Sequence, residues 1–134
     1  MPEQIVLPLQ AADPRTFTGT AYIRLMAGAE RESRVKLYYV RFEPGARTHW
    51  HTHSGTQLLV ISSGRCRYQR EGESVREADA GESVKFEPGI RHWHGAVEGE
   101  AAEHIAVNLD TGETEWMEEV SHAEYRSAPA ASGG

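Results

Sequence analysis

Hydrophobic and polar positions along this chain do not recur at a helical spacing. They come in short runs, apolar throughout or alternating apolar with polar, broken by Gly-, Pro- or Ser-containing segments at spacings of roughly 8–12 residues, which is the signature of short strands joined by turns. The pattern predicts strands over 20–26, 35–42, 48–53, 57–62, 65–70, 74–77, 83–86, 92–97 and 103–109. The run 35–42 has no Pro or Gly and is the clearest in the first half of the chain. Glu43-Pro44-Gly45, Ser63-Gly64, Glu71-Gly72, Ala80-Gly81 and Pro88-Gly89 supply turns. So many short segments with Gly-containing connections predict an all-β chain, an antiparallel sandwich or barrel. Residues 1–19 read as an N-terminal arm with an edge strand at 5–7, residues 20–112 as the barrel, and 113–134 as a partly disordered tail. Helix is hinted at only over 115–125, where Ser121 and Glu124 have the spacing of a capping box.

The polar positions in these strands are not ordinary surface residues. His49, His51 and His53 alternate, as do His92 and His94, and His104 follows on the next strand. Alternate side chains leave a strand on one face. Six of the seven histidines therefore fall in three neighbouring strands, among Val, Leu and Ile. Imidazole binds Zn, Mn, Fe, Ni and Cu, so the clusters point to a metal site more than to scattered structural histidines. His122, in the tail, reads as solvated.

Composition narrows the field. A chain of 134 residues suits one domain with a core. A net charge of -6 argues against nucleic acid as partner, because phosphate binding wants a basic face. The N-terminus lacks the basic and apolar regions of a secretory signal, and the aliphatic run 58–61 is far too short to span a bilayer. The single cysteine, Cys66, has no intramolecular partner, which fits a reducing cytoplasm, and reads as a small strand side chain. A cytoplasmic protein acting on a small molecule is expected.

Two segments resemble the motifs of the cupin family. Gly45, His51, His53 and Gly64 have the spacing of its first motif, with Gln57 where that motif has Glu. Gly81, Gly89 and His92 match the second, with Glu87 in place of its Pro and Ala96 in place of its Asn. The runs F-E-P-G-A-R-T-H-W-H-T-H, H-W-H-G-A, H-I-A-V-N and E-W-M-E-E-V-S are similar to a group of small single-domain cupins. That group includes carboxymuconolactone decarboxylase-like proteins and manganese-dependent bacterial hydroxynitrile lyases; other single-domain cupins are polyketide cyclases. The resemblance implies a jelly-roll barrel holding one divalent metal ion (Zn, Mn, Fe or Ni) on His51, His53, Gln57 and His92. It also implies a homodimer formed through edge strands. His104 occupies the position that acts as base in those lyases. His49, left over on the ligand face, is a second acid/base candidate or a ligand in place of Gln57; His94 is a third, weaker candidate.

Four neutral ligands leave the metal's +2 charge uncompensated, which suits Lewis-acid work better than redox cycling. The expected function is thus a metal-dependent, non-redox enzyme acting on an organic carbonyl or enol: an aldol-type cyclase of aromatic polyketides or a carbon–carbon lyase. A metal-dependent dioxygenase is the second reading and a non-catalytic small-molecule binding module the third. Tyr22, Tyr38, Phe42 and Phe86 provide aromatic surface for an aromatic substrate. Trp50 and Trp93 alternate out of phase with the histidines and are expected to face away from the metal.

Overall fold

The protein's computed structural model describes residues 8–30, 32–110 and 112–129. The expected edge strand at 5–7 lies outside them, as do residues 130–134. The strands are β1 (Gln10–Ala11), β2 (Phe17–Thr18), β3 (Ala21–Ala27), β4 (Val35–Phe42), β5 (Arg47–Thr48), β6 (His51–His53), β7 (Gln57–Arg70), β8 (Arg76–Asp79), β9 (Ser83–Phe86), β10 (His92–Ala96), β11 (Ala102–Leu109) and β12 (Thr114–Trp116). One short helix, α1 (His122–Tyr125), follows. The strands form a curled antiparallel sheet of order β1-β3-β4-β11-β7-β10-β5-β2, with β12 on β6, β6 on β10, and β8 and β9 on β7. This is the antiparallel barrel that the alternation predicts.

β8 begins and ends two residues later than the pattern predicts, and three further differences each have a local reason. Residues 57–70 form one strand, without a turn at Ser63-Gly64. Its first half pairs with β9 and β11, its second with β8 and β10, so β7 belongs to both walls of the barrel. Gly64 makes the bend possible: its φ is +73°, and a Cβ there would run into the carbonyl oxygen of Ala101. Conversely, 48–53 is not one strand. It breaks at His49 and Trp50 into β5 and β6, because the Trp50 backbone pairs with the C-terminal segment through Glu118 and Met117. Finally, β12 occupies part of the stretch where helix was hinted. The helix is confined to His122–Tyr125, where the Ser121 hydroxyl accepts from the Glu124 amide and the Glu124 carboxylate accepts from the Ser121 amide.

Cross-strand register decides what the barrel's interior holds. Lys36, Asn108, Gln57 and Phe86 stand opposite one another across β4, β11, β7 and β9, and Tyr38, Ala106, Leu59 and Val84 form the next row. Opposed residues share a face. Leu59, Ile61, Val84 and Phe86 make one apolar cluster, and Phe17, Val40 and Phe42 another. Full burial of such side chains stabilises the fold by about 1.5–3 kcal/mol each. A third cluster lies outside the barrel: Trp50 and Trp93 pack with Val75, Val120 and Tyr125, beneath the chain's own C-terminal segment. The Tyr125 hydroxyl donates to the Ala96 carbonyl, and the Arg47 guanidinium lies 4.4 Å from the Tyr125 ring. Both tryptophans thus face away from the histidines, as their phase predicts.

Candidate metal centre

β6 and β10 pair so that His51 stands opposite His92. With His53 two residues along β6, three imidazoles reach one point, their nearest ring nitrogens all within 4.8 Å of one another. Each ring is fixed through Nδ1. His51 donates to the His49 carbonyl at 2.8 Å and His92 to the Ile90 carbonyl at 2.8 Å; His53 Nδ1 lies 3.0 Å from the Thr114 hydroxyl. A carbonyl only accepts, so Nδ1 of His51 and His92 carries the hydrogen and Nε2 is left as a lone pair. Rings also hold the rings: Phe86 stacks on His92 at 3.8 Å, and Trp116 lies over His51 at 4.5 Å.

Gln57, the first residue of β7, faces the same point. Its Nε2 donates to Asn108 Oδ1 at 2.8 Å, which turns its Oε1 to within 3.1 Å of His92 Nε2. With His92 Nδ1 already the donor, two lone pairs meet here with no proton between them. Shared ligation of a cation satisfies both, and two ligands about 2.1 Å from a metal at right angles lie about 3.0 Å apart. His53 Nε2 is buried with no hydrogen-bond partner among the described residues. The imidazoles are also in the state a metal needs. Burial, then repulsion from neighbouring imidazoles, holds His51 well below the ordinary value. Burial lowers His92 to about 3 and His53 to about 4. The residues present therefore fit a divalent metal.

Beside this cluster stands a second pair. His104 Nε2 lies 3.1 Å from His94 Nδ1, and both residues are buried. Burial pushes His104 down to about 4 and His94 well below its ordinary value. Two neutral imidazoles hold two N–H groups and two lone pairs, and one of each is used between them. The outer nitrogens, His94 Nε2 and His104 Nδ1, have no partner among the described residues, so in either tautomer the pair presents one base and one donor. The pair, His51, His53 and Gln57 open on one cavity of about 220 Å³, walled by Phe17, Tyr38, Val40 and Trp116.

The structure brings His51, His53, Gln57 and His92 together, with His94 and His104 alongside. His49 does not join them. It is buried, its amide donates to the Thr16 carbonyl, and it does not line the cavity, because the break between β5 and β6 interrupts the alternation. Asn108, Thr114 and Trp116 were not singled out by the sequence reading. Asn108 could have been found, since 104, 106 and 108 alternate onto one face; Trp116 lies in the stretch that hints at helix, and Thr114 just before it. Burial raises the Cys66 thiol to about 12, which leaves it inert.

The model of the cupin domain matches residues 38–108. An (R)-mandelonitrile lyase from Granulicella tundricola is 44% identical over 112 residues, which span 82% of this chain and 86% of that protein. Among solved structures, a cupin-like protein from Thermotoga maritima has a TM-score of 0.85 at 36% identity, covering 89% of this chain and 92% of that one. The polyketide cyclase RemF from Streptomyces resistomycificus has a TM-score of 0.66 at 14% identity, covering 89% of this chain and 84% of the cyclase, a likeness of fold alone. No helix among the described residues is long and apolar enough to cross a membrane.

Proposed function

The chain belongs to the cupin family, and from that premise we propose that it is a metal-dependent lyase without redox cycling. In this reading it cleaves or forms the carbon–carbon bond of a small one-ring α-hydroxynitrile or a related aldehyde adduct. The observation that carries the reading is the neutral His94–His104 pair, facing the same small apolar cavity as His51, His53 and Gln57, with His92 in the same histidine cluster. The relative named as a mandelonitrile lyase supports it.

Those four residues would hold the metal, which supplies Lewis acidity toward the substrate's oxygen. The remaining chemistry falls to the chain's own groups. His104 takes the hydroxyl proton, its basicity kept available by burial in the neutral form. As the carbon–oxygen double bond forms, the carbon–carbon bond breaks with its electron pair on the nitrile carbon. The N–H of the His94–His104 pair returns a proton to the cyanide. Phe17, Tyr38 and Trp116 exclude water and seat the ring. At about 220 Å³ the cavity is smaller than the ~300–1,000 Å³ of pockets for drug-sized ligands, which favours one ring over a polycyclic polyketide.

The test is benzaldehyde release from racemic mandelonitrile, followed by absorbance, for protein loaded with manganese, iron or zinc and for metal-free protein. We expect metal-dependent release. His104→Ala should retain metal and lose about 10²-fold or more in turnover. No release from any loaded form, or oxygen uptake with the organic substrate, overturns the reading. We also propose that the partner of the chain is a second copy. Val60 is 44% exposed on the outer face of β7, beside the outward-facing Ile105 and Leu58; a monomer mass by light scattering would exclude the dimer.

A further inference from the structure

Beside the apolar cavity lies a second, more polar one of about 130 Å³. The two share Tyr38, His53, Asn108 and Thr114, so they are compartments of one site. What sets the second apart is Lys36. The register places it opposite Asn108, and Asn108 opposite Gln57. All three therefore sit in one row on one face of the sheet. Lys36 is half-buried. The chain has only two lysines. Lys85 pairs with Glu87 at 3.1 Å, whereas no carboxylate among the described residues lies within 4.0 Å of the Lys36 ammonium. Glu113 also lines the compartment, but it is exposed and makes no ion pair with Lys36. A cation lining a concave compartment without a counter-charge attracts an anion there. An anion arriving in the compartment supplies that counter-charge, with the Thr114 hydroxyl and Asn108 carboxamide available beside it.

We propose that this compartment binds a carboxylate carried by the substrate, held at Lys36 while the substrate's carbonyl or hydroxyl oxygen faces Gln57 and the three histidines. The inference rests on the reading of the histidine cluster as a substrate-binding metal centre and names the class of substrate that fits it. Two strand spacings, about 9–10 Å, separate the backbones of Lys36 and Gln57. The long lysine side chain takes up part of that gap, and a benzene ring with a carboxylate para to an aldehyde suits the rest.

The test is calorimetric titration of metal-loaded protein with benzaldehyde and with 4-formylbenzoate, and of metal-free protein with benzoate. We expect 4-formylbenzoate to bind about tenfold or more tighter than benzaldehyde, the scale of a hydrogen-bonded charge. Lys36→Gln should abolish that preference and Lys36→Arg should keep it. Benzoate should bind the metal-free protein in a Lys36-dependent way. Equal affinity for the two aldehydes, or a preference that survives Lys36→Gln, overturns the proposal. Failure of the metal-centre reading shows differently: benzaldehyde binding would then not depend on metal, while the Lys36-dependent binding of benzoate persists.

Discussion

Stripping the metal and lowering the pH should unfold this protein, because burial disfavours the charged form of the imidazoles from which the site is built. His51, His92, His94 and His104 are at most 4% exposed. Burial keeps all four far below their ordinary values, His92 at about 3 and His104 at about 4. In the unfolded chain an imidazole titrates near 6.5. Between that value and the folded ones, the unfolded state binds more protons, so stability falls as pH falls. It is fully present above pH ~6.5 and its loss levels off only near the folded values. At pH 5.0 each imidazole held neutral contributes a loss of about 2 kcal/mol, set almost wholly by the unfolded state. Four of them approach about 8 kcal/mol, comparable with the ~5–15 kcal/mol stability of a whole domain. The assay is urea denaturation followed by circular dichroism at pH 7.5, 6.5 and 5.0, after chelation. His104→Gln should reduce the pH-dependent loss by about 2 kcal/mol. Added metal should move the acid transition to lower pH, since it competes with protons for the same lone pairs. A loss under about 2 kcal/mol between pH 7.5 and 5.0 would refute the reasoning, because even one such imidazole should produce that much.

Three further outcomes follow from the geometry. His51→Ala and His92→Ala should each lose stoichiometric metal by elemental analysis; either variant retaining one equivalent would remove that residue from the ligand set. Asn108→Leu frees the Gln57 carboxamide to turn and should weaken metal binding by about 10–100-fold, the scale for groups that orient a ligand. Asn108→Asp, which still accepts from Gln57 Nε2, should keep most of the affinity, and equal affinities for the two variants would remove Asn108 from this role. Leu59→Ala, at a fully buried position, should destabilise by about 3 kcal/mol in urea titration while leaving metal stoichiometry unchanged.

Local chemistry accounts for what was legible before folding. Alternation and glycine-bearing breaks predict β4 and β9 to the residue, and β3, β10 and β11 to within one, because a strand's two faces meet different solvents. The same alternation puts His51 and His53 on one face, and the motif spacing that resembles cupins marks them with Gln57 and His92. The capping box at Ser121 is equally local. Parity alone, however, overextends. It gave His49 the same face as His51, where the backbone breaks at that residue to pair Trp50 with the C-terminal segment.

What the sequence determined by itself is the inventory: an all-β cupin chain whose inward positions carry histidines and uncharged amides. Only the tertiary structure decided which of those positions meet. Register across β4, β11 and β7 sets Asn108 against Gln57 and Lys36 in the same row. Barrel closure brings His94 to His104, ten residues away, and Thr114 to His53, sixty-one residues away. Alternation specifies a face but carries no information about the partner strand's offset or the curl of the sheet. Those depend on long-range pairing, on the bend at Gly64, and on the C-terminal segment that supplies Trp116 to one side of the site and buries Trp50 and Trp93 on the other.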